Sequence, residues 1–414
     1  MDKAVRQKVL LLSFLVGLAV RLSLVIIFQS EPVNDLLWND AVGWNLAQGN
    51  GYTASETEPR VPGIYRPPGY PGFLALIYFL FGHSYFTVYV AQAVLDAFSC
   101  ILLYLILSHY TSTVLALLGA ALYAVYPYPG MFCAVLHLDI LLVFSVLLVL
   151  WLLARASKTP DTIGNWILVG VSVGFAALIK GNMILIAAVP AIVAFSLLGR
   201  AAMKKVLIMT FALVLVLLPW IVRNYMAFDA FPPLAVGGTG TNLQYLVQEL
   251  KGGEEELLRI GSGPATRGLK AFPDGAPLIE SEKEMTFNAI LYLKEHWPQY
   301  LLLTLKHIPR LWITKYSKWH GPMVAAIGQG LSWIVLGFGL VGMFLMRHQF
   351  RILLPLYLTV LLVTIIHAPY TPEARYTLPA RPVMLFFVAA ALTAIATKSS
   401  ALSRHLSVRN SSIL

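Results

Sequence analysis

Apolar residues along this chain come in long blocks separated by short polar breaks, and each block is a candidate membrane helix. Blocks at about 9–28, 84–107, 112–127, 133–153, 163–179, 183–198, 205–222, 326–346, 352–368 and 382–397 approach or reach the roughly 20 residues that cross a bilayer core as helix. The pattern therefore predicts an all-α polytopic membrane protein with about ten transmembrane helices. The shorter blocks, such as 112–127, fall below the usual length and are expected to be tilted or partly buried. The run 67–82 follows two prolines and is too short to span, so it is read as an interfacial or re-entrant helix.

Two polar stretches interrupt the blocks. The first, about 29–66, contains an amphipathic segment from Asn39 to Ala47 and the turn Gly49-Asn50-Gly51-Tyr52, so interfacial helices are expected there. The second, about 223–325, has room for a small lobe outside the bilayer. It opens with Arg223-Asn224-Tyr225 and a glycine-rich segment, Gly237 to Asn242, which lacks the Gly-Lys-Ser/Thr ending of a P-loop and reads as a loop or a nest of backbone donors. Ser281 and Glu284 have the spacing of a capping box for a helix running to about His296. From Pro298, the positions Leu301, Leu302, Leu305, Ile308, Leu311 and Trp312 describe an amphipathic helix along the membrane surface. The domain reading is one integral membrane unit over 1–398, including both outer loops, and a cytoplasmic tail at 399–414.

Composition supports the membrane class: 58% hydrophobic and 12% charged residues, where soluble domains carry about 45–50% and 25%. The net charge of +10 would suit nucleic acid in a soluble protein, but here the basic residues set topology and no nucleic-acid partner is expected. With the N-terminus inside, thirteen lysines and arginines fall in the cytoplasmic segments: Lys3, Arg6, Lys8, Arg155, Lys158, Arg200, Lys204, Lys205, Arg347, Arg351, Lys398, Arg404 and Arg409. Only three, Lys180, Arg375 and Arg381, fall in the opposite short loops. This bias, with an even number of spans, predicts both termini in the cytoplasm. Lys3, Arg6 and Lys8 before the first block resemble a signal peptide, but no small-residue cleavage site follows, so an uncleaved first helix is expected. Cys100 and Cys133 offer neither a disulfide framework nor a metal-ligand spacing.

On this topology the polar residues collect at the outer face: Asp35, Asp40, Arg66, His137, Asp139, Lys180, Arg223, Arg375 and Arg381. Ionisable groups at membrane depth are costly and mark pairs or functional pathways. Asp40 suits an N-cap as well as a general base that accepts a proton from a hydroxyl, with Asp35 as its competitor. Arg66 heads the string Arg66-Pro67-Pro68-Gly69-Tyr70-Pro71, where it could bind a phosphate through paired donors or contact lipid headgroups. His137 and Asp139 are two apart, on different faces of a helix, so a metal site from this pair is not expected, and Asp139 is read as orienting a sugar or tuning Asp40. Lys180 and Arg375 are either snorkelling side chains or fixed positive charges for an anionic leaving group, and Glu373 could simply pair with Arg375. Arg21, inside the first block, either snorkels or faces the bundle interior.

These pieces together resemble the glycosyltransferase-C superfamily, in the branch of protein O-mannosyltransferases and bacterial aminoarabinose transferase (glycosyltransferase family 39). The matching elements are Asp40 to Tyr52, Arg66 to Pro68, Asp139 opening a later span, Pro219-Trp220-Ile221-Val222-Arg223-Asn224-Tyr225, and Arg375-Tyr376-x-Leu378-Pro379. The resemblance implies a sugar donor carried on a polyprenyl or dolichyl phosphate and an inverting transfer at the outer face of a cell membrane. It matches Asp40 to the catalytic aspartate, Arg66 to the basic residue on the lipid phosphate and Asp139 to a further acidic site residue, with Lys180 and Arg375 as further phosphate contacts. His137 and Tyr65 are secondary candidates, Tyr65 because it stands where the family often has an acid. The large luminal domain of the eukaryotic mannosyltransferases has no counterpart, which implies a prokaryotic enzyme with a lipid, glycan or protein acceptor. The motifs call for no particular cofactor and leave a divalent cation open. Two other readings compete: a transporter or flippase of lipid-linked sugars, which would place polar residues near the midplane on repeated halves, and a glycan ligase or polymerase.

Overall fold

Inside a bilayer every backbone donor and acceptor has to be paired within the protein, and helix does this locally. The computed structural model describes residues 3–28, 30–32, 35–55, 57–229, 234–235, 238–252, 276–313 and 321–398, and every regular element among them is helical. In chain order these are α1 (Lys3–Phe28), α2 (Asp35–Ala47), α3 (Gly69–Phe81), α4 (Tyr85–Tyr110), α5 (Thr113–Val125), α6 (Pro127–Cys133), α7 (Asp139–Lys158) and α8 (Ile163–Ile179). A 3-10 segment, Gly181–Ala187, leads into α9 (Ala188–Leu198) and α10 (Ala202–Phe228). There follow α11 (Thr239–Leu250), α12 (Ala276–Glu295), α13 (Trp297–Trp312), α14 (Gly321–Leu345), α15 (Leu354–His367), the 3-10 segment Ala374–Ala380 and α16 (Arg381–Lys398).

The all-α polytopic class holds, but about ten transmembrane helices does not. Among the described residues six helical stretches are long and apolar enough to cross a membrane, or seven if the bent pair α5–α6 counts as one span. Hydropathy counts apolar runs, whereas a span needs a continuous helix of sufficient length. The runs at 163–179 and 352–368 form helices of only 17 and 14 residues. The runs at 183–198 and 205–222 merge into one apolar helical stretch, Gly181–Phe228. Lipid-facing surface is nonetheless plain on the outside of the bundle, where Leu11, Leu12, Ile26, Phe211, Leu215, Val341 and Phe344 are exposed.

Arg21 resolves inward, where it is completely buried with Asp96 of α4, its Nε 2.8 Å from Oδ2. Its remaining donors go to the carbonyls of Tyr123, at 2.9 Å, and Ala124. Those carbonyls belong to the last turn of α5, where a helix runs out of its own N–H donors; that of Tyr123 also accepts the Tyr126 amide. Tyr123 closes the set by donating its hydroxyl to Asp96 Oδ1 at 2.5 Å. One arginine thereby answers both a buried carboxylate and the exposed carbonyls where α5 breaks before Pro127, with a 48° bend into α6.

The long polar loop departs from expectation in two places. Ser281 and Glu284 lie inside α12, which begins at Ala276, and Ser281 donates to the Leu278 carbonyl, so they form no capping box. The actual cap is made from a distance. Glu282, buried, accepts from the amides of Gly238 and Gly240 and from the Thr241 hydroxyl, at 3.3, 2.7 and 2.7 Å. The glycine-rich segment is therefore the start of α11, and its free amides are spent on a carboxylate where the helix dipole favours one. The amphipathic helix beyond Pro298 is present as α13, with Leu311 and Trp312 buried and Leu301, Leu302, Leu305 and Ile308 exposed. Gly237 and the tail 399–414 lie outside the described residues.

Removing one partner of a buried ion pair leaves an unanswered charge and costs about 3–5 kcal/mol, whereas replacing both by apolar groups is often neutral. Asp96→Ala should therefore strongly destabilise the detergent-solubilised protein in thermal unfolding, and Arg21→Met with Asp96→Leu should recover most of the loss. A double variant as unstable as the single one would show that the hydrogen bonds of Arg21 to the Tyr123 and Ala124 carbonyls, which methionine also removes, matter more than the charge pair.

Candidate active site

The break at Tyr126-Pro127 and the short α6 set the start of α7, and Asp139 is its first residue, buried at a helix N-terminus that favours negative charge. His137, in the turn before it, brings Nδ1 to 2.7 Å from Asp139 Oδ2, a close contact without hydrogen-bond alignment. Its Nε2 lies 2.6 Å from Nη1 of Arg375. A guanidinium only donates, so His137 presents a lone pair to the arginine and its proton to the carboxylate side. Arg375 also meets Glu373, Nε to Oε2 at 2.5 Å. The imidazole thus bridges an acid on α7 to a cation on the 3-10 segment Ala374–Ala380.

Lys180 joins the same group from the turn between α8 and Gly181–Ala187. Its Nζ is 3.0 Å from His367 Nε2 and 4.0 Å from the centre of the Tyr376 ring. The charges of Asp139, Arg375, Glu373 and Arg66 all act on it. Desolvation lowers the ammonium's pKa to about 7, with Asp139 opposing and Arg375 and Arg66 adding to the fall.

Arg66 reaches this neighbourhood because of the glycine three residues on. A Cβ on Gly69 would lie 2.6 Å from the Leu178 carbonyl oxygen, so only glycine lets the Arg-Pro-Pro element pack on the last turn of α8, next to Lys180. The Arg66 guanidinium lies over the Tyr65 ring at 4.6 Å, and Tyr52 donates to its carbonyl at 2.8 Å. Tyr65 is thereby a face for Arg66 and also meets Trp38 edge-on.

Asp40 sits in a separate nest of donors. Tyr78 and His83 approach Oδ1 at 2.7 and 2.9 Å, and Tyr85 donates to Oδ2 at 2.9 Å. It lies in the middle of α2, so it is not the helix cap. A carboxylate offers about four lone-pair positions, and three are occupied, leaving one on Oδ2. Tyr70 lies within electrostatic range of both Asp40 and Asp139 and donates its hydroxyl to Gln92 at 3.0 Å. Asp35 opens α2, and its side chain lies outside the described residues. Among the described residues no three His, Cys, Asp or Glu side chains converge as a metal-ligand set.

Two cations of the polar group expected from the sequence are engaged in holding the backbone instead. Arg223 donates to the carbonyls of Gly63 and Tyr52 at 2.7 and 3.2 Å and ties α10 to the first loop. Arg381, fully buried, binds the Tyr126 hydroxyl, Thr377 and the Trp312 carbonyl. Sequence reasoning missed Asp96, His367, Tyr376, Tyr78, His83 and Tyr85. Asp96 had a signal, being an acid inside an apolar block to match Arg21; the aromatic donors around Asp40 had none, since their convergence needs three segments to fold together.

The comparisons agree with this architecture. The profile of the family described as dolichyl-phosphate-mannose-protein mannosyltransferase matches residues 65–222, less than half of the chain. No curated protein matches the sequence. Among solved structures, the oligosaccharyltransferase of Archaeoglobus fulgidus in its apo form superposes with a TM-score of 0.60 at 14% identity, over 99% of this chain and 53% of that one. The structure of AglB from Archaeoglobus fulgidus with an inhibitory peptide and a dolichol-phosphate gives 0.59 at 13% identity, over 98% and 52%. ArnT from Cupriavidus metallidurans bound to undecaprenyl phosphate gives 0.45 at 13% identity, over 92% and 76%. The chain shares the fold of the archaeal oligosaccharyltransferase and spans about half the length of the archaeal proteins it matches.

With burial lowering Lys180's pKa to about 7, a fixed anion at this cluster should be held more tightly below that pH than above it, because the neutral amine no longer adds to the attraction of Arg375 and Arg66. Calorimetric binding of a short alkyl sulfate, whose charge stays constant, should weaken by at most about tenfold per unit of pH above Lys180's titration. Lys180→Arg should bind without that dependence, and an unchanged profile in the arginine variant would place the titration elsewhere.

Proposed function

We propose that this protein transfers a sugar from a polyprenyl-phosphate-linked donor to a hydroxyl acceptor, lipid, glycan or protein, at the extracytoplasmic face of a prokaryotic membrane, with inversion at the sugar's anomeric carbon. The observation that carries the reading is the chain from Arg375 through His137 to Asp139, with Lys180 in electrostatic range of Arg375, Asp139 and Arg66, in a fold shared with a membrane oligosaccharyltransferase. The match to the dolichyl-phosphate-mannose-protein mannosyltransferase family over 65–222 supports the donor class, since that stretch contains Arg66, Asp139 and Lys180. The branch of protein mannosyltransferases and aminoarabinose transferase is the one we favour.

In this mechanism the acceptor hydroxyl donates its proton to the open position on Asp40 Oδ2 as its oxygen attacks the anomeric carbon. The bond from that carbon to the phosphate oxygen breaks with its electron pair, and polyprenyl phosphate leaves. Lys180, Arg375 and Arg66 receive the charge that grows on the phosphate, in a setting where fixed donors act more strongly than water. Asp139, held through His137, keeps Arg375 in place and orients the sugar. Divalent-cation assistance is not required by these steps.

Asp40→Asn keeps size and can still accept from Tyr78 and His83, while the Tyr85 hydroxyl can turn to accept from the new amide. Transfer measured with a purified lipid-phosphate sugar should fall by about 10²–10⁴-fold with thermal stability preserved. Near-wild-type transfer would remove Asp40 as the base. Orientation is tested separately. Lys283 is exposed on α12, and both native cysteines are buried, so Lys283→Cys should react with an impermeant maleimide in intact cells. Reaction only after permeabilisation would invert the proposed topology.

A further inference from the structure

Lys180 has a neighbour that the reaction scheme above does not use. His367, the last residue of α15, is almost completely buried. Its Nδ1 lies 2.8 Å from the Val363 carbonyl oxygen, which can only accept, so that nitrogen carries the proton. Its Nε2 then presents a lone pair, and two donors face it: Nζ of Lys180 at 3.0 Å and Nδ2 of Asn182 at 3.4 Å. The tautomer is determined from both sides.

The ring is held as firmly as its proton. His367 stacks on Tyr376, centroids 4.9 Å apart at 24°, and the same Tyr376 offers its face to Lys180. An ammonium has three N–H bonds. One points to His367 and the ring of Tyr376 shields another side, which leaves a donor direction for an anionic oxygen. Lysine's four-carbon stem is otherwise flexible, so a free Lys180 would sample many positions.

Resting on the proposed transfer reaction, we infer that His367 is a positioning residue: its Nε2 lone pair and its stack on Tyr376 aim the Lys180 ammonium at the phosphate that leaves the sugar. His367 itself touches no substrate and acts through Lys180. Its effect should appear mainly in the transition state, where the phosphate gains charge, and less in donor binding. The contact also ties α15 to the turn after α8, two elements whose junction has no other assigned purpose.

The test is a double-mutant cycle on the full-length enzyme in nanodiscs, following release of polyprenyl phosphate from the lipid-phosphate sugar. His367→Phe keeps an aromatic ring for Tyr376 and removes the lone pair; kcat should fall about 10²-fold, as for a misaimed catalytic group, with KM for the donor changed much less. His367→Gln places an amide oxygen near the Nε2 position and should restore at least about tenfold of that loss. Added to Lys180→Met, His367→Phe should change kcat by no more than about twofold, because a residue that acts through Lys180 has nothing left to aim. Losses that multiply in the double variant, or a His367→Phe enzyme with wild-type kcat, overturn the positioning role while the proposed function stands. A wild-type enzyme that leaves the lipid-phosphate sugar intact overturns the proposed function and, with it, this inference.

Discussion

A buried charge in a membrane bundle must be answered by the protein itself, because lipid offers no partner. The fully buried contact between Arg21 and Asp96 is where this requirement shapes the fold most visibly. Arg21 pairs with Asp96 and also donates to two carbonyls at the end of α5, those of Ala124 and of Tyr123, the latter shared with the Tyr126 amide. A helix can stop inside an apolar bundle only if its last carbonyls find donors. By supplying them, Arg21 allows the break at Pro127, and the break allows α6 to turn and deliver His137 and Asp139 at the head of α7.

The same device recurs with different partners. Arg381 answers the carbonyl of Trp312 at the end of α13, Glu282 answers the first amides of α11, and Arg223 holds the carbonyls of the first loop. Glu249 on α11 meets both His307 and Arg310 of α13, and its carboxyl is held below the usual range first by the hydrogen bond to His307 and then by the two positive partners. Each of these charged groups closes an irregular piece of backbone or ties a loop helix to the bundle. Lys180, Arg375 and Asp139 differ, since Arg375 and Asp139 meet through His137 and Lys180 lies within electrostatic range of both. That contrast separates the candidate site from the scaffold.

Aromatic rings then divide the site into two regions. Around Asp40 they act as hydroxyl donors, with Tyr78 and Tyr85 fixing the carboxylate's orientation. Around Lys180 and Arg66 they act as faces, Tyr376 and Tyr65 each lying against a cation. The first arrangement leaves one acceptor position open, and the second leaves cations able to meet an anion. A proton acceptor and an anion-binding group placed in this way are the two requirements of glycosyl transfer from a phosphate leaving group.

The class of protein was legible in the sequence, because bilayer burial demands long apolar helices and those need no knowledge of partners. The charged residues of the proposed site, Asp40, Arg66, Asp139, Lys180 and Arg375, stand out in the sequence, since an ionisable group in an apolar chain is conspicuous wherever it lies. How many apolar runs become spans was not, because a run at 163–179 or 352–368 has the composition of a span and only the length and joining of the folded helices separate it from one. Nor could local sequence tell that Arg223 holds the first loop and Arg381 a helix end, while Arg375 meets His137. His367 comes to Lys180, and Tyr78, His83 and Tyr85 to Asp40, from distant positions. Those partnerships depend on how helices pack against one another, so the tertiary structure alone decides them.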